Sequence, residues 1–382
     1  MKIAILGPYP LDTQRLGGVE VAIVYAQREL LKFPELSVHI ITCKQELARP
    51  KVVEQERLRI TYLPRGRWGR ITGHRREVRA MLAALEEIRP DVVHAHGSGL
   101  YAGAALAGRF PAVITVHGIV SQEAKLLEGW GNKLRAWFDV AYERAVVRRA
   151  RHLILITPYV EQVLAGLFHG RSYLVENACD ERFFALRREP VPGRLLFAGP
   201  VIPRKGVLPL LKALRPVRER FPEAHLHIAG ATTADPAYFH ACEVYIQQEG
   251  LGEAVTFLGH LAQEQVLREY ATCVALVLPS FQETAPMVIE QAMAAGVPSV
   301  ATRAGGVPWM LADGLTGLTL PVPASLEGDP QALAEALSRL LADPAQAQKM
   351  GAQAKEEAER RFRPEVAARR TLEVYQQVMA NP

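Results

Sequence analysis

Short apolar, β-branched runs alternate with longer amphipathic stretches along the whole 382-residue chain, and this alternation restricts the fold more than any other feature. In the first half the strand candidates are Lys2–Gly7, Val38–Cys43, Leu58–Leu63, Asp91–His96, Ala112–His117, His152–Thr157 and Tyr173–Glu176. Helical patterns separate them, the clearest at Val19–Lys32, His74–Ile88, Lys133–Arg149 and Tyr159–Leu167. The strands are nearly continuous apolar runs, as a parallel sheet covered by helices on both faces requires. The expectation is an α/β fold of the doubly wound, Rossmann-like kind.

The pattern then breaks and restarts. Leu186–Gly193 (LRREPVPG) is charged, Pro-rich and Gly-ended, and reads as a linker. Beyond it LLFAG, HLHIAG, VTFLG, VALVLPS and PSVAT each precede a helical segment. A chain of this length exceeds what one hydrophobic core usually organises. The expected division is an N-terminal Rossmann-like domain over 1–188 and a second over 189–363, facing each other across a cleft. Two further helices are read at about 330–342 and 344–361, and the last helix, within 364–382, is expected to pack back onto the first domain.

Composition removes several classes. At 49% hydrophobic and 22% charged the chain is an ordinary globular one, neither disordered nor collagen-like. Cys43, Cys179, Cys242 and Cys273 form no CxxC pair, which argues against zinc ribbons and fits reduced thiols in a cytosol. The N-terminal apolar stretch is too short for a signal sequence, and no apolar run is long enough to span a membrane. Charge is uneven: residues 1–190 hold 28 Lys and Arg against 20 Asp and Glu, a net +8, and the rest is −3. The first half is therefore expected to meet an anionic partner.

Several segments carry candidate chemistry. Gly17-Gly18 precedes a helix, where glycines admit close approach and free N–H groups favour a phosphate; a plain turn would use the same residues. No GxGxxG fingerprint accompanies them. Two strands end in histidine, at His94-Ala95-His96 and at His117. Carboxyl ends of parallel strands are where this architecture puts ligands, and His117 is the better candidate. A third metal ligand at a recognisable spacing from His94 and His96 is missing, and a hydrogen-bonded structural role suits His94. Arg204-Lys205 sits at a helix start, where cations oppose the helix dipole unless an anion lies between; two solvated charges are the plain alternative. In PSFQETAPMVIEQAMAAGVP (279–298), Glu283 precedes a helix starting near Pro286. The N–H groups of Thr284, Ala285 and Met287 are available to an anion there.

Taken together, Gly17-Gly18-Val19-Glu20, the Pro203–Gly206 loop, Val255–Gly259, the 279–298 segment and Gly305-Gly306-Val307-Pro308 resemble the retaining GT-B glycosyltransferases of family 4. The resemblance covers nearly the whole chain and is strongest over about 195–320. It implies a nucleotide diphosphate sugar as donor and no resident cofactor. It places Glu283 on the donor sugar's hydroxyls, Lys205 on the diphosphate, His117 near the sugar, and Gly17 and Gly18 at the phosphates. The family's second glutamate, which binds ribose, falls on Gln291, while Glu290 is one residue off. The family's arginine falls on Pro200, with Arg204 as the neighbouring substitute.

The implied reaction is transfer of a hexosyl group with retention, independent of metal; no DxD motif lies near these segments. A catalytically weak nucleotide-sugar-binding protein and another GT-B enzyme, such as a nucleotide-sugar epimerase, are the alternatives. The acceptor is expected to be a glycan or lipid-linked molecule, without nucleic acid. Arg65, Arg67, Trp68, Arg70, Arg75 and Arg76 form a basic patch suited to an anionic membrane surface, and Trp130–Phe138, with Lys133, Arg135 and Trp137, forms a second. A solvated Arg-rich loop is the alternative for the patch. The expected location is the cytosol, at the inner membrane face.

Overall fold

A computed structural model describes residues 1–11, 17–66, 69, 72–127 and 129–382. The chain forms two units, Met1–Ala178 with Pro364–Pro382, and Cys179–Arg363. The first unit runs β1 (Lys2–Leu6), α1 (Gly18–Leu30), β2 (Ser37–Lys44), β3 (Lys51–Gln55), β4 (Leu58–Pro64), α2 (Arg75–Ile88), β5 (Val92–His96), α3 (Leu100–Ala107), β6 (Ala112–Val116), α4 (Val120–Glu123), α5 (Trp130–Arg149), β7 (His152–Leu155), α6 (Pro158–Leu164) and β8 (Arg171–Leu174). Its sheet has the order β3-β4-β2-β1-β5-β6-β7-β8. All neighbours are parallel except β3 and β4.

The second unit runs α7 (Glu181–Phe184), β9 (Arg194–Ala198), α8 (Val207–Arg220), β10 (His225–Ala229), α9 (Pro236–Gln248), β11 (Val255–Gly259), α10 (Gln263–Thr272), β12 (Ala275–Leu278), α11 (Met287–Ala295), β13 (Ser299–Thr302), α12 (Val307–Met310), β14 (Gly317–Leu320), α13 (Pro330–Ala342) and α14 (Pro344–Arg361). Its sheet, β11-β10-β9-β12-β13-β14, is wholly parallel. A final helix, α15 (Pro364–Ala380), belongs to the first unit, where the Tyr375 hydroxyl lies 2.7 Å from His94 Nδ1.

The central strands show why they read as unbroken apolar runs. Leu195, Phe197, Ala275 and Val277 enter the core cluster on one face of the second sheet. Leu196, Leu276 and Leu278 enter the cluster on the other face. Side chains alternate across a strand, so a sheet buried on both faces needs an apolar residue at every position. Each Leu, Val or Phe among them contributes about 1.5–3 kcal/mol relative to exposure.

Three elements depart from the sequence reading. The edge strand β3 went unread: four of its five residues are exposed, so it carries no core pattern. The short helix α3 is rich in Ala and Gly and shows little periodicity. Leu186–Gly193 lies inside the second unit, not between units. Arg188 donates to the carbonyls of Cys273 and Gly296, and the Glu189 and Val191 amides to those of Ala271 and Thr272. The chain leaves the first unit at Ala178, and the Cys179 amide donates to Phe362 O at 2.9 Å, closing the second unit's ends together.

In each sheet the order reverses at one place, between β1 and β5 and between β9 and β12. Loops leaving adjacent strands diverge there and open a crevice at the carboxyl ends. In the second unit those loops are Gly199–Gly206 and Pro279–Pro286, and the Phe281 amide donates to Arg204 O at 2.9 Å. Gly206 holds the close approach: its φ is +69°, and a Cβ would stand 2.3 Å from Pro279 O. Gly259 has a similar φ of +64° with open space around it. Gly206→Ala should therefore cost more stability than Gly259→Ala. The second change meets only the left-handed backbone penalty of about 1–2 kcal/mol. Urea denaturation of the two variants measures the difference, and equal losses would mean that Pro279 yields.

Candidate functional site

The switch point of the second unit brings Lys205 and Glu283 into contact and sets Arg204 against the same loop. Lys205 closes a single 3₁₀ turn, Pro203–Lys205, ahead of α8. Its Nζ lies 2.6 Å from Glu283 Oε1, with side-chain exposures of 12% and 7%. The cation at the helix start thus has a carboxylate beside it, and the pair is largely out of water. Glu283 is fixed at its main chain too, its carbonyl accepting from the Gly306 amide at 3.1 Å. This ties the turn read at 305–308 to the same loop. Arg204 is half-buried and donates from Nη1 to Gln282 O at 2.7 Å, so it braces the 279–286 loop. Pro200 offers no charge in its place.

Thr284 is buried on that loop, Ala285 is half-buried, and α11 starts at Met287 with Pro286 as its N-cap. Gln291 stands on α11, its Oε1 3.1 Å from the Tyr270 hydroxyl, which also lies 3.1 Å from Val288 O. Burial pushes the Tyr270 phenol well above its usual range, so the hydroxyl keeps its proton and donates. Tyr270 was missed in the sequence because its role depends on a contact between α10 and α11. Glu290 is 1% exposed and lies on the inner side of the helix.

The first unit holds the other candidates. Gly17 is the N-cap of α1, and its amide donates to Glu20 Oε2 at 3.0 Å; Glu20 Oε1 pairs with Lys44 Nζ at 3.3 Å. The Gly17 N–H is therefore already bonded to an acid in the first turn, and Gly18 is exposed. His117 follows β6 at its carboxyl end, with its ring stacked on His96 at 5.0 Å and its Nε2 2.7 Å from His96 Nδ1. His94 is bonded at both ring nitrogens, to the Tyr375 hydroxyl and to Thr115 Oγ1 at 2.6 Å. A cavity of about 50 Å³ runs past these three rings, Glu176 and Asn177.

His96 is the residue whose role the sequence hid. It shares a strand face with His94, two residues away, but its link to His117 needs the parallel pairing of β5 and β6. Its Nε2 is buried with no hydrogen-bond partner among the described residues. A buried N–H without an acceptor is rarer than a bare lone pair. The favoured tautomer thus has His96 Nδ1–H donating to His117 Nε2, which leaves His117 with Nδ1–H as a donor.

Burial holds all three imidazoles neutral: His94 is pushed down to about 3, His117 to about 4, and His96 well below the usual value. The unfolded chain, with ordinary values near 6.5, then binds protons that the folded chain refuses. Stability is fully present above about pH 6.5 and declines as pH falls towards 4, by up to about 1.4 kcal/mol per ring and pH unit. Nitrogen-15 NMR of the imidazoles should show neutral rings from pH 8 to pH 5, with His117 protonated at Nδ1. Titration near 6.5 would contradict this arrangement.

The basic patch is placed in part. Arg75 and Arg76 are exposed at the start of α2 and Arg65 is half-buried after β4; Arg67, Trp68 and Arg70 lie outside the described residues. Among the described residues no helix is long and apolar enough to cross a membrane.

Comparison with known proteins agrees with this layout. The family described as Glycosyl transferases group 1 matches residues 180–357, and that described as Glycosyltransferase Family 4 matches 16–183. The glycogen synthase of Mycobacterium tuberculosis is 31% identical over 297 residues, covering 75% of this chain and 69% of that protein. The sucrose-phosphate synthase of Thermosynechococcus elongatus superposes with a TM-score of 0.81 at 22% identity, covering all of both chains. Anabaena HepE in complex with UDP and glucose superposes with a TM-score of 0.73 at 19% identity, covering 99% of this chain and all of that one. With two Rossmann-like units, each matched by a glycosyltransferase family, the chain belongs to the family 4, group 1 glycosyltransferases of GT-B fold.

Proposed function

We propose that this glycosyltransferase moves a hexosyl group from a nucleotide diphosphate sugar to an acceptor with retention of configuration and without a metal. The observation that carries the reading is the Lys205–Glu283 pair at the second unit's switch point, a cation and a carboxylate at the carboxyl ends of adjacent strands. Lys205 is assigned to the diphosphate and Glu283 to the sugar hydroxyls, with the amides of Thr284, Ala285 and Met287 toward the phosphates. Gln291 is assigned to the ribose. The assignment of His117, Gly17 and Gly18 to the donor follows the family resemblance, as does that of HepE's ligands, UDP and glucose, to this chain's donor class.

In the proposed step the bond from the anomeric carbon to the diphosphate oxygen breaks first, giving an oxocarbenium-like state. The acceptor oxygen bonds to the same face, and its proton passes to the departing phosphate. Negative charge grows on the leaving group, and Lys205 acts by stabilising that charge, which exists mostly in the transition state. Before donor binds, the ammonium is satisfied by Glu283, so the empty site carries no bare buried charge. Arg204 acts as a brace through Gln282. The acceptor is proposed to be a glycan or lipid-linked molecule met at an anionic membrane surface, with Arg65, Arg75 and Arg76 contributing charge.

A thermal-shift screen of nucleotide sugars identifies the donor, and NMR of the product's anomeric proton reports retention. An inverted product would overturn the proposed step. Lys205→Ala should lower kcat by about two to three orders of magnitude. It should also destabilise the fold, since Glu283 is left buried alone, and the double variant with Glu283→Gln should recover stability but not kcat. Activity in the double variant near that of the wild type would remove Lys205 from the reaction. Gln291→Glu should fold and bind the nucleoside diphosphate more tightly, because a carboxylate accepts from Tyr270 and from a ribose hydroxyl more strongly. Isothermal calorimetry decides it, and weaker binding would show that the neutral amide is required.

A further inference from the structure

The helix α5 buries two different faces of itself to two different degrees. From residue 130 to 138 only Ala136 is buried. Trp130 is 80% exposed, Leu134 45%, Trp137 64% and Phe138 59%. At about 100° per residue these four fall within an arc of about 100°. Further along, Glu143, Val146 and Val147 turn to the interior on the opposite side. Glu143 is held there by Ser98 and by the amides of Val120 and Ser121. An apolar stripe of two tryptophans, a phenylalanine and a leucine therefore faces away from the first unit's own core.

Among the described residues of α5, the charges that border the stripe are basic. Lys133 and Arg144 flank one side of it, Arg135 lies beyond the other, and all three are exposed. The two acids of the helix, Asp139 and Glu143, fall on the side turned from the stripe. Protein surfaces that meet another folded chain use aromatics too, but a one-signed basic border with interfacial tryptophans matches the headgroup region of an anionic bilayer.

Topology places this stripe at the end of the unit that matters. β6 and β7 are parallel neighbours joined through α5, so α5 begins at the carboxyl edge of the sheet, where His117 stands. α2 joins β4 to β5 in the same sense, so Arg75 and Arg76 begin at that edge as well. The start of α2 packs against α5 beyond its midpoint: the His74 ring, at the N-cap of α2, lies edge-on to the Tyr142 ring at 6.5 Å. Basic charge from α2 and the apolar stripe of α5 thus belong to one rim.

We infer that the N-terminal half of α5 is a membrane-docking element, which seats Trp130, Leu134, Trp137 and Phe138 at the headgroup level of an anionic bilayer. Lys133, Arg135 and Arg144, with Arg75 and Arg76, supply the attraction. The inference rests on the lipid-borne acceptor proposed above for its purpose, and on the outward stripe for its site. Docking along this rim brings a lipid-anchored acceptor to the strand ends by two-dimensional diffusion.

The test is co-sedimentation of the full chain with vesicles of phosphatidylglycerol and phosphatidylcholine, against phosphatidylcholine alone. The wild type should bind the anionic vesicles, and binding should weaken steeply with salt. Trp137→Ser with Phe138→Ser should bind at least about tenfold more weakly while keeping its Tm, since both side chains are exposed. Brominated lipids should quench the wild type's fluorescence and quench a Trp130→Phe, Trp137→Phe variant far less. Wild-type protein left in the supernatant, or a serine variant that binds equally well, would overturn the inference. So would sedimentation velocity showing a wild-type dimer that the serine variant dissolves, because a second copy would then cover the stripe. None of these measurements uses a donor or acceptor. Docking without transfer to a lipid acceptor would sink only the acceptor reading, and transfer without docking only this one.

Discussion

A parallel sheet must be covered on both faces, and each of its strands must be returned by a crossover to the same edge. This constraint fixes nearly everything else about the chain. The crossovers gather the carboxyl ends of the parallel strands along one rim, and the helices that make them fill the volume on either side. The second unit shows it in its two core clusters, one holding Leu195 and Phe197, the other Leu196 between them. Chemistry can then stand only where the order of strands reverses, because loops from neighbouring strands part there. The Lys205–Glu283 contact and the His96–His117 contact each lie at the carboxyl ends of strands beside such a reversal.

The two contacts solve the same problem with opposite means. A partly buried charge costs several kcal/mol unless it is paired, and the second unit pairs Lys205 with Glu283. The first unit avoids charge: His94, His96 and His117 are neutral, with His94 bonded to Thr115 and Tyr375 and His96 Nδ1 to His117 Nε2. The ion pair keeps a cation near the strand ends without leaving it bare. The neutral rings suit a group that offers one oriented N–H.

Much of this was legible in the amino-acid order. The β/α alternation, the restart near residue 194 and the segment around Glu283 carry strong local patterns, and their elements lie within a few residues of the reading. The places that were misread lack such a pattern. β3 is an exposed edge strand, α3 is nearly featureless Ala and Gly, and Leu186–Gly193 has a linker's composition. That last segment is held by Arg188 against carbonyls more than eighty residues away in the chain, which no local signal announces.

The sequence by itself determined which residues form strands and helices, because apolar periodicity and turn chemistry act over a few residues. It also placed Lys205 and Glu283 on loops at strand ends. Only the tertiary structure decided which side chains meet across those ends, since strand order sets the neighbours of a loop and strand order is a long-range choice. The same holds for α5. Spacing of i, i+4, i+7 and i+8 in Trp130, Leu134, Trp137 and Phe138 describes a helix with an apolar face, and most such faces are buried in a core. Ala136, Glu143 and Val147 take the inner side of this helix, so the larger apolar face turns outward. Periodicity defines a face, and packing chooses which face goes inside.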